Sequence, residues 1–150
     1  MAEAYAGLRA GLRRTRPERV RAGQRRAEAR PNDPTVGADL VRSHAGGDQW
    51  PLMEHSTSAV NWQPRNLAKA AGQMRRNSLT HVARGADAVM FFQWRASGGG
   101  AEKFHSGMVP HAGTDTRLWR EVVALGRDLE AIAEVSGTRV QADVAILFDW

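Results

Sequence analysis

Cysteine is absent from the 150 residues, which excludes a disulfide framework, a thiolate nucleophile and a cysteine-ligated metal. Long apolar runs are absent too. Nothing approaches the roughly 20 residues a membrane-spanning helix needs, and the N-terminus has no apolar core ahead of a cleavage site. A cytoplasmic protein with no membrane partner is therefore expected. The three-glycine run Gly98 to Gly100 lacks the lysine and following Ser/Thr of a P-loop and the spacing of a dinucleotide fingerprint. No cofactor and no metal are expected.

Acidic residues are scarce only locally. The chain carries a net charge of +5, but residues 1–30 hold nine arginines against three acids, so residues 31–150 sum to −1. Within that basic segment Tyr5, Leu8 and Leu12 recur at helical spacing before Pro17 interrupts. The pattern reads as a poorly ordered extension with few apolar groups to bury, or as a basic module for nucleic acid or an anionic surface. Since the surplus stops at residue 30, nucleic acid is not an expected partner of the remainder.

From residue 31 the pattern becomes that of an α/β protein. Asn32-Asp33-Pro34 and Gly46-Gly47 are turn signals around a segment, Ala38 to His44, able to form about two helical turns. Pro51, Leu52 and Met53 make a short apolar run that ends at Glu54 and gives way to His55 and the polar series Ser56, Thr57 and Ser58. A buried strand hands over to a loop in this way. On spacing alone, Glu54 reads as the first solvated position of an ordinary loop, since short apolar runs ending in a charge are common. Gly72 to Gly85 predicts a helix with Met74, Leu79, Val82 and Ala83 as its apolar stripe. Ala86 to Trp94 predicts a strand buried on both faces. Thr114-Asp115-Thr116 offers N-cap oxygens to a helix whose Leu118, Val122, Leu125, Leu129 and Ile132 keep helical spacing until Gly137. Val140 to Trp150 predicts a further strand.

Three separated motifs in order carry a resemblance: LMEHSTSAVNWQPRN at residues 52–66, FFQWR at 91–95 and AEKFH at 101–105. Together they resemble the catalytic barrel of glycoside hydrolase family 42 β-galactosidases, from about Pro31 to the end of the chain. The resemblance implies a partial (β/α)8 TIM barrel, its last αβ units at residues 31–138, followed at 139–150 by the first strand of a second α/β domain that serves trimerisation. It implies a retaining glycosidase acting on terminal non-reducing β-D-galactose. By the same resemblance Glu54 is the nucleophile, Trp62 contacts the sugar, and Glu102, Lys103, Phe104 and His105 line the galactose pocket.

A whole barrel typically needs about 250 residues, so the chain resembles a slice of such an enzyme. The acid/base glutamate of the family follows an asparagine well upstream of the nucleophile, and no Asn-Glu pair occurs among Met1 to Gln49. The metal-binding cysteines of some members are also missing. A β-galactoside is the implied substrate, and the fragment is expected to be inactive alone. The family's homotrimer is not expected of a chain whose second domain is one strand. A remnant of a disrupted gene, without independent function, is the third reading.

Overall fold

The computed structural model describes residues 34–147. The basic segment 1–30 and the turn expected at Asn32-Asp33 lie outside the described residues, as do residues 148–150.

Helix α1 spans Pro34–His44. Proline suits a first helical turn, where its missing N–H had no intrahelical partner to lose. The helix thus starts four residues ahead of the expected Ala38. It ends as the glycines predict: Gly46 and Gly47 take positive φ of 64° and 81°, and the Gly47 N–H returns to the Arg42 carbonyl at 3.0 Å. Strand β1, Trp50–Ser56, follows, then helix α2, Gln73–Ala83, and strand β2, Ala86–Phe92. The two strands pair in parallel, Trp50 opposite Ala86 and Ser56 opposite Phe92. Parallel neighbours need a long crossover, and α2 supplies it, making one βαβ unit.

After β2, a 3-10 turn at Ala101–Phe104 precedes helix α3, Arg117–Ala131, with a second 3-10 turn at Ala133–Val135. The expected cap of α3 forms, as Thr116 Oγ1 accepts from the Trp119 N–H at 3.2 Å. Asp39 of α1 accepts from Arg42 at 3.1 Å and pairs with Arg84, which holds α1 to the end of α2. The apolar core is small: Ala38, Trp50 and Ala86, with Leu52 packed against them.

Four expectations need correction. The run ahead of Glu54 is not a buried strand, since Pro51 and Met53 are exposed and only Leu52 packs on the core. Of the stripe expected on α2 only Met74 is deeply buried, in a face it shares with Asn77, Ser78 and His81 rather than with Leu79, Val82 and Ala83. Those three residues instead line a cleft of about 590 Å³ with Ile132, Val135 and Val140, because α2 lies between the sheet and α3 and needs two buried sides. Strand β2 is not covered on both faces: Asp87, Ala88 and Met90 are exposed, and Trp94 lies beyond the strand's end. A parallel sheet is covered twice only when its layers are present on either side. Lastly, residues 140–147 form no strand. An extended apolar segment becomes a strand when a ladder partner takes its backbone groups, and among the described residues nothing pairs with it. The described chain is therefore an α/β fragment with a two-stranded parallel sheet, not a closed barrel.

Candidate active site

β1 carries an irregularity that bears on the site. Trp50 and His55 both pack edge-on against His81 of α2, with ring centroids 6.0 and 5.6 Å away. Residues five apart would face opposite sides of a regular strand. The register shifts between Trp50 and Pro51 and between Leu52 and His55 reconcile the two. With His55 turned to the helix side, its neighbour Glu54 is left exposed, near the carboxyl end of the strand as expected.

The loop leaving β1 is stitched to the loop leaving β2. Ser106 Oγ accepts from Thr57 Oγ1 at 2.9 Å and from the Ser58 N–H at 2.8 Å, and the Ser106 N–H donates to the Ala59 carbonyl at 3.0 Å. Two asparagines extend the seam: Asn61 Nδ2 donates to the Ala101 carbonyl at 2.7 Å, and Asn66 Nδ2 to the Phe104 carbonyl at 2.9 Å. Between those asparagines sits Trp62, 68% exposed, while the turn they grip carries Glu102, half-buried, Lys103, exposed, and Phe104, 69% exposed. The Lys103 ammonium lies 5.7 Å from the centre of the Phe104 ring. His105 differs from its neighbours. It is 4% exposed, with Nδ1 2.9 Å from the Ser106 carbonyl and its ring edge-on to Phe92 at 4.9 Å.

The β2 loop also folds on itself. The Met108 N–H donates to the Gln93 carbonyl at 2.7 Å and the Val109 N–H to that of Trp94 at 2.9 Å. Gly107 is obligatory there, since a Cβ would stand 2.4 Å from the Ala96 nitrogen.

Beneath the strand ends lies a second polar group. His55, His81 and Lys69 cluster between β1, α2 and their connecting loop, and Lys69 donates its ammonium to the Ser56 carbonyl. Burial, reinforced by the Lys69 charge and by His81, pushes His55 down to about 3. Burial and then Lys69 hold His81 below the usual histidine range, and burial brings Lys69 down to about 8. Both imidazoles are thus neutral at pH 7. Among the described residues no group of three or more His, Asp or Glu side chains is placed to hold a metal ion.

The structure brings Trp62 and residues 102–104 to one seam beyond the strand ends, and packs His105 under it. Sequence reasoning passed over Asn61, Asn66 and Ser106, which make the seam, and over Lys69 and His81. The asparagines stand inside the quoted 52–66 motif, but bonds across 38–49 residues of chain leave no local pattern to read. Exposed aromatic faces with polar groups at their edges suit the two sides of a sugar ring.

The glycoside hydrolase family 42 model, described as beta-galactosidase, matches residues 16–132. The match starts inside the stretch read as a basic extension. A beta-galactosidase of Arthrobacter sp is 69% identical over 113 residues, 75% of this chain and 16% of that protein. The beta-galactosidase LacZ of Heyndrickxia coagulans is 57% identical over 100 residues, 66% of this chain and 15% of that protein. Among solved structures, a beta-galactosidase from Rahnella sp. R3 superposes with a TM-score of 0.72 at 47% identity, covering 77% of this chain and 17% of that one. One from Bacillus circulans sp. alkalophilus gives 0.73 at 41% identity, covering 77% and 18%. These neighbours have the TIM-barrel fold, and this chain spans about one-sixth of the length of the relatives it matches. With motifs, parallel βαβ unit and family match agreeing over most of its length, the chain belongs to the glycoside hydrolase family 42 beta-galactosidases.

Proposed function

We propose that these residues supply the nucleophile side of a retaining β-galactosidase site. Glu54 attacks the anomeric carbon of a terminal β-D-galactose, and Trp62, Glu102, Lys103, Phe104 and His105 hold the sugar. The observation that carries this reading is the asparagine seam, which sets Trp62 beside the 101–104 turn next to the strand that bears Glu54. His105 fits the role least directly, being packed against Phe92; it contributes chiefly by setting the turn.

A retaining mechanism uses two carboxyl groups about 5–5.5 Å apart, one as nucleophile and one as acid and later base. Glu54 supplies the first, and the Asn-Glu pair that carries the second in the family does not occur in this sequence. Loss of a general acid removes roughly 10²–10⁴-fold in rate, so the isolated chain should not turn over a substrate whose leaving group needs a proton.

A leaving group such as dinitrophenolate needs none. A 2-deoxy-2-fluoro-β-galactoside carrying it should therefore form a stable ester on Glu54, read by mass spectrometry of the digested chain, and Glu54→Gln should stay unlabelled. Label on Glu102, or equal label on the Glu54→Gln chain, would sink the assignment. Hydrolysis of an unactivated β-galactoside by the chain alone would show that the acid is replaced from within.

A further inference from the structure

Lys69 lies in the loop between β1 and α2, three residues before the Gly72 cap of the helix, and no role proposed so far uses it. All of its polar groups are engaged. Its N–H donates to Ser58 Oγ at 3.1 Å, its carbonyl accepts from Arg117 at 3.3 Å, and its ammonium donates to the Ser56 carbonyl. Ser56 is the last residue of β1, two beyond Glu54, and Ser58 stands in the loop that carries Trp62. The side chain of Lys69 thus ties the end of the Glu54 strand to the far end of the Trp62 loop, and its main-chain carbonyl ties both to the first turn of α3.

Holding a lysine in one rotamer, partly out of water, is unfavourable unless its hydrogen bond fixes something. Resting on the reading of Glu54 as nucleophile and Trp62 as sugar platform, the geometry points to Lys69 as a positioning residue that pins the carboxyl end of β1 against the loop and so fixes Trp62 relative to Glu54. The groups facing the ammonium agree with this. His55 and His81 are the titratable neighbours, and both are neutral, so no second charge competes for the Ser56 carbonyl. Burial also lowers the amine itself to about 8, as an enclosed ammonium requires. If the side chain were only filler, its aliphatic stem would do as well as its nitrogen.

The absence of cysteine makes that distinction measurable, since Lys69→Cys creates the only thiol in the chain. Alkylated in denaturant with 2-bromoethylamine and refolded, the thiol becomes a lysine analogue with sulfur in place of one methylene. With bromoethane it gains a similar bulk and no amine. Hydrogen exchange of residues 57–66 should speed up about tenfold in the ethylated chain, the loss expected for one charge-assisted hydrogen bond. It should return to the wild-type rate in the aminoethylated chain, while α2 and α3 keep their protection in both. Lys69→Met, close to lysine in shape, should match the ethylated form. Equal protection in the ethylated and aminoethylated chains overturns the proposal.

The trapping rate of Glu54 by the fluorosugar gives the second readout and should fall and recover in step with exchange. Trapping that stays constant while the loop loosens would make Lys69 structural only, which also overturns the proposal. Failure to trap even the wild type tells against the nucleophile reading, and the exchange result still decides whether Lys69 pins the loop.

Discussion

At the scale of single residues, the cluster under the strand ends couples stability to pH in a definite direction. His55 has its pKa pushed down from 6.5 to about 3, by burial first and then by Lys69 and His81. Between those two values the unfolded chain holds a proton on this imidazole that the folded chain does not. Its contribution is therefore complete above about pH 6.5 and is lost as pH falls towards 3, by at most about 1.4 kcal/mol per pH unit. His81, lowered for the same reason, acts in the same sense. The melting temperature should accordingly climb between pH 4 and 7, and His55→Gln should flatten the climb. A wild-type melting curve indifferent to pH across that window would mean that the imidazoles are hydrated rather than enclosed. None of this coupling was readable from the sequence, where His55 is one polar residue after an apolar run. Its partner His81 is 26 residues away, and only the crossover of α2 brings the two rings within 5.6 Å.

At the scale of elements, what was legible follows the range of the interaction that forms each one. Helix α3 is nearly determined locally. Its cap residue and its apolar spacing lie within about twenty residues of chain, and the structure keeps Thr116 as the cap and Leu125 as the buried centre, though the helix stops at Ala131, ahead of the expected Gly137. The cap is therefore separable from the rest: Thr116→Ala should cost about 1 kcal/mol, read as a lower midpoint in urea with an unchanged slope. No loss would mean that water satisfies the Trp119 N–H equally well. Strands obey a different rule, since a strand exists only with a neighbour. Trp50 to Ser56 and Ala86 to Phe92 have each other, and both were found where their composition put them. Val140 onward has as strong an apolar run as either, yet its described part forms no strand. The seam at the candidate site fails to show in the sequence for a related reason. Residues 52–66 and 101–105 stand out as motifs, but the bonds from Asn61, Asn66 and Ser106 that align them depend on the two strands already lying side by side.

For the whole molecule, the question is what the uncovered apolar surface does in water. The relatives close their strands into a barrel, an arrangement that leaves no sheet edge open. In the described part of this chain, β1 and β2 each pair only with the other, so each keeps one edge without a ladder partner. Beyond the helices the run Val144, Ala145, Ile146 and Leu147 is bare, with Ile146 87% and Leu147 100% exposed. A short exposed segment of high β-propensity and low charge, in a chain that also has open strand edges, is the combination that drives intermolecular strand pairing. The isolated chain should therefore associate as its concentration rises, with sedimentation coefficients growing across the micromolar range. Ile146→Lys places a charge in the middle of the bare run, where it must be desolvated before another strand can pair, and should hold the chain monomeric to higher concentration. If the variant associates as readily as the parent, the contact runs through the β1 and β2 edges instead, and a lysine at exposed Met53 or Met90 is then the substitution that should dissolve it. A parent chain that stays monomeric at every concentration would mean that neither surface is sticky enough to matter, and that the small core around Trp50 suffices to keep the fragment apart from its copies.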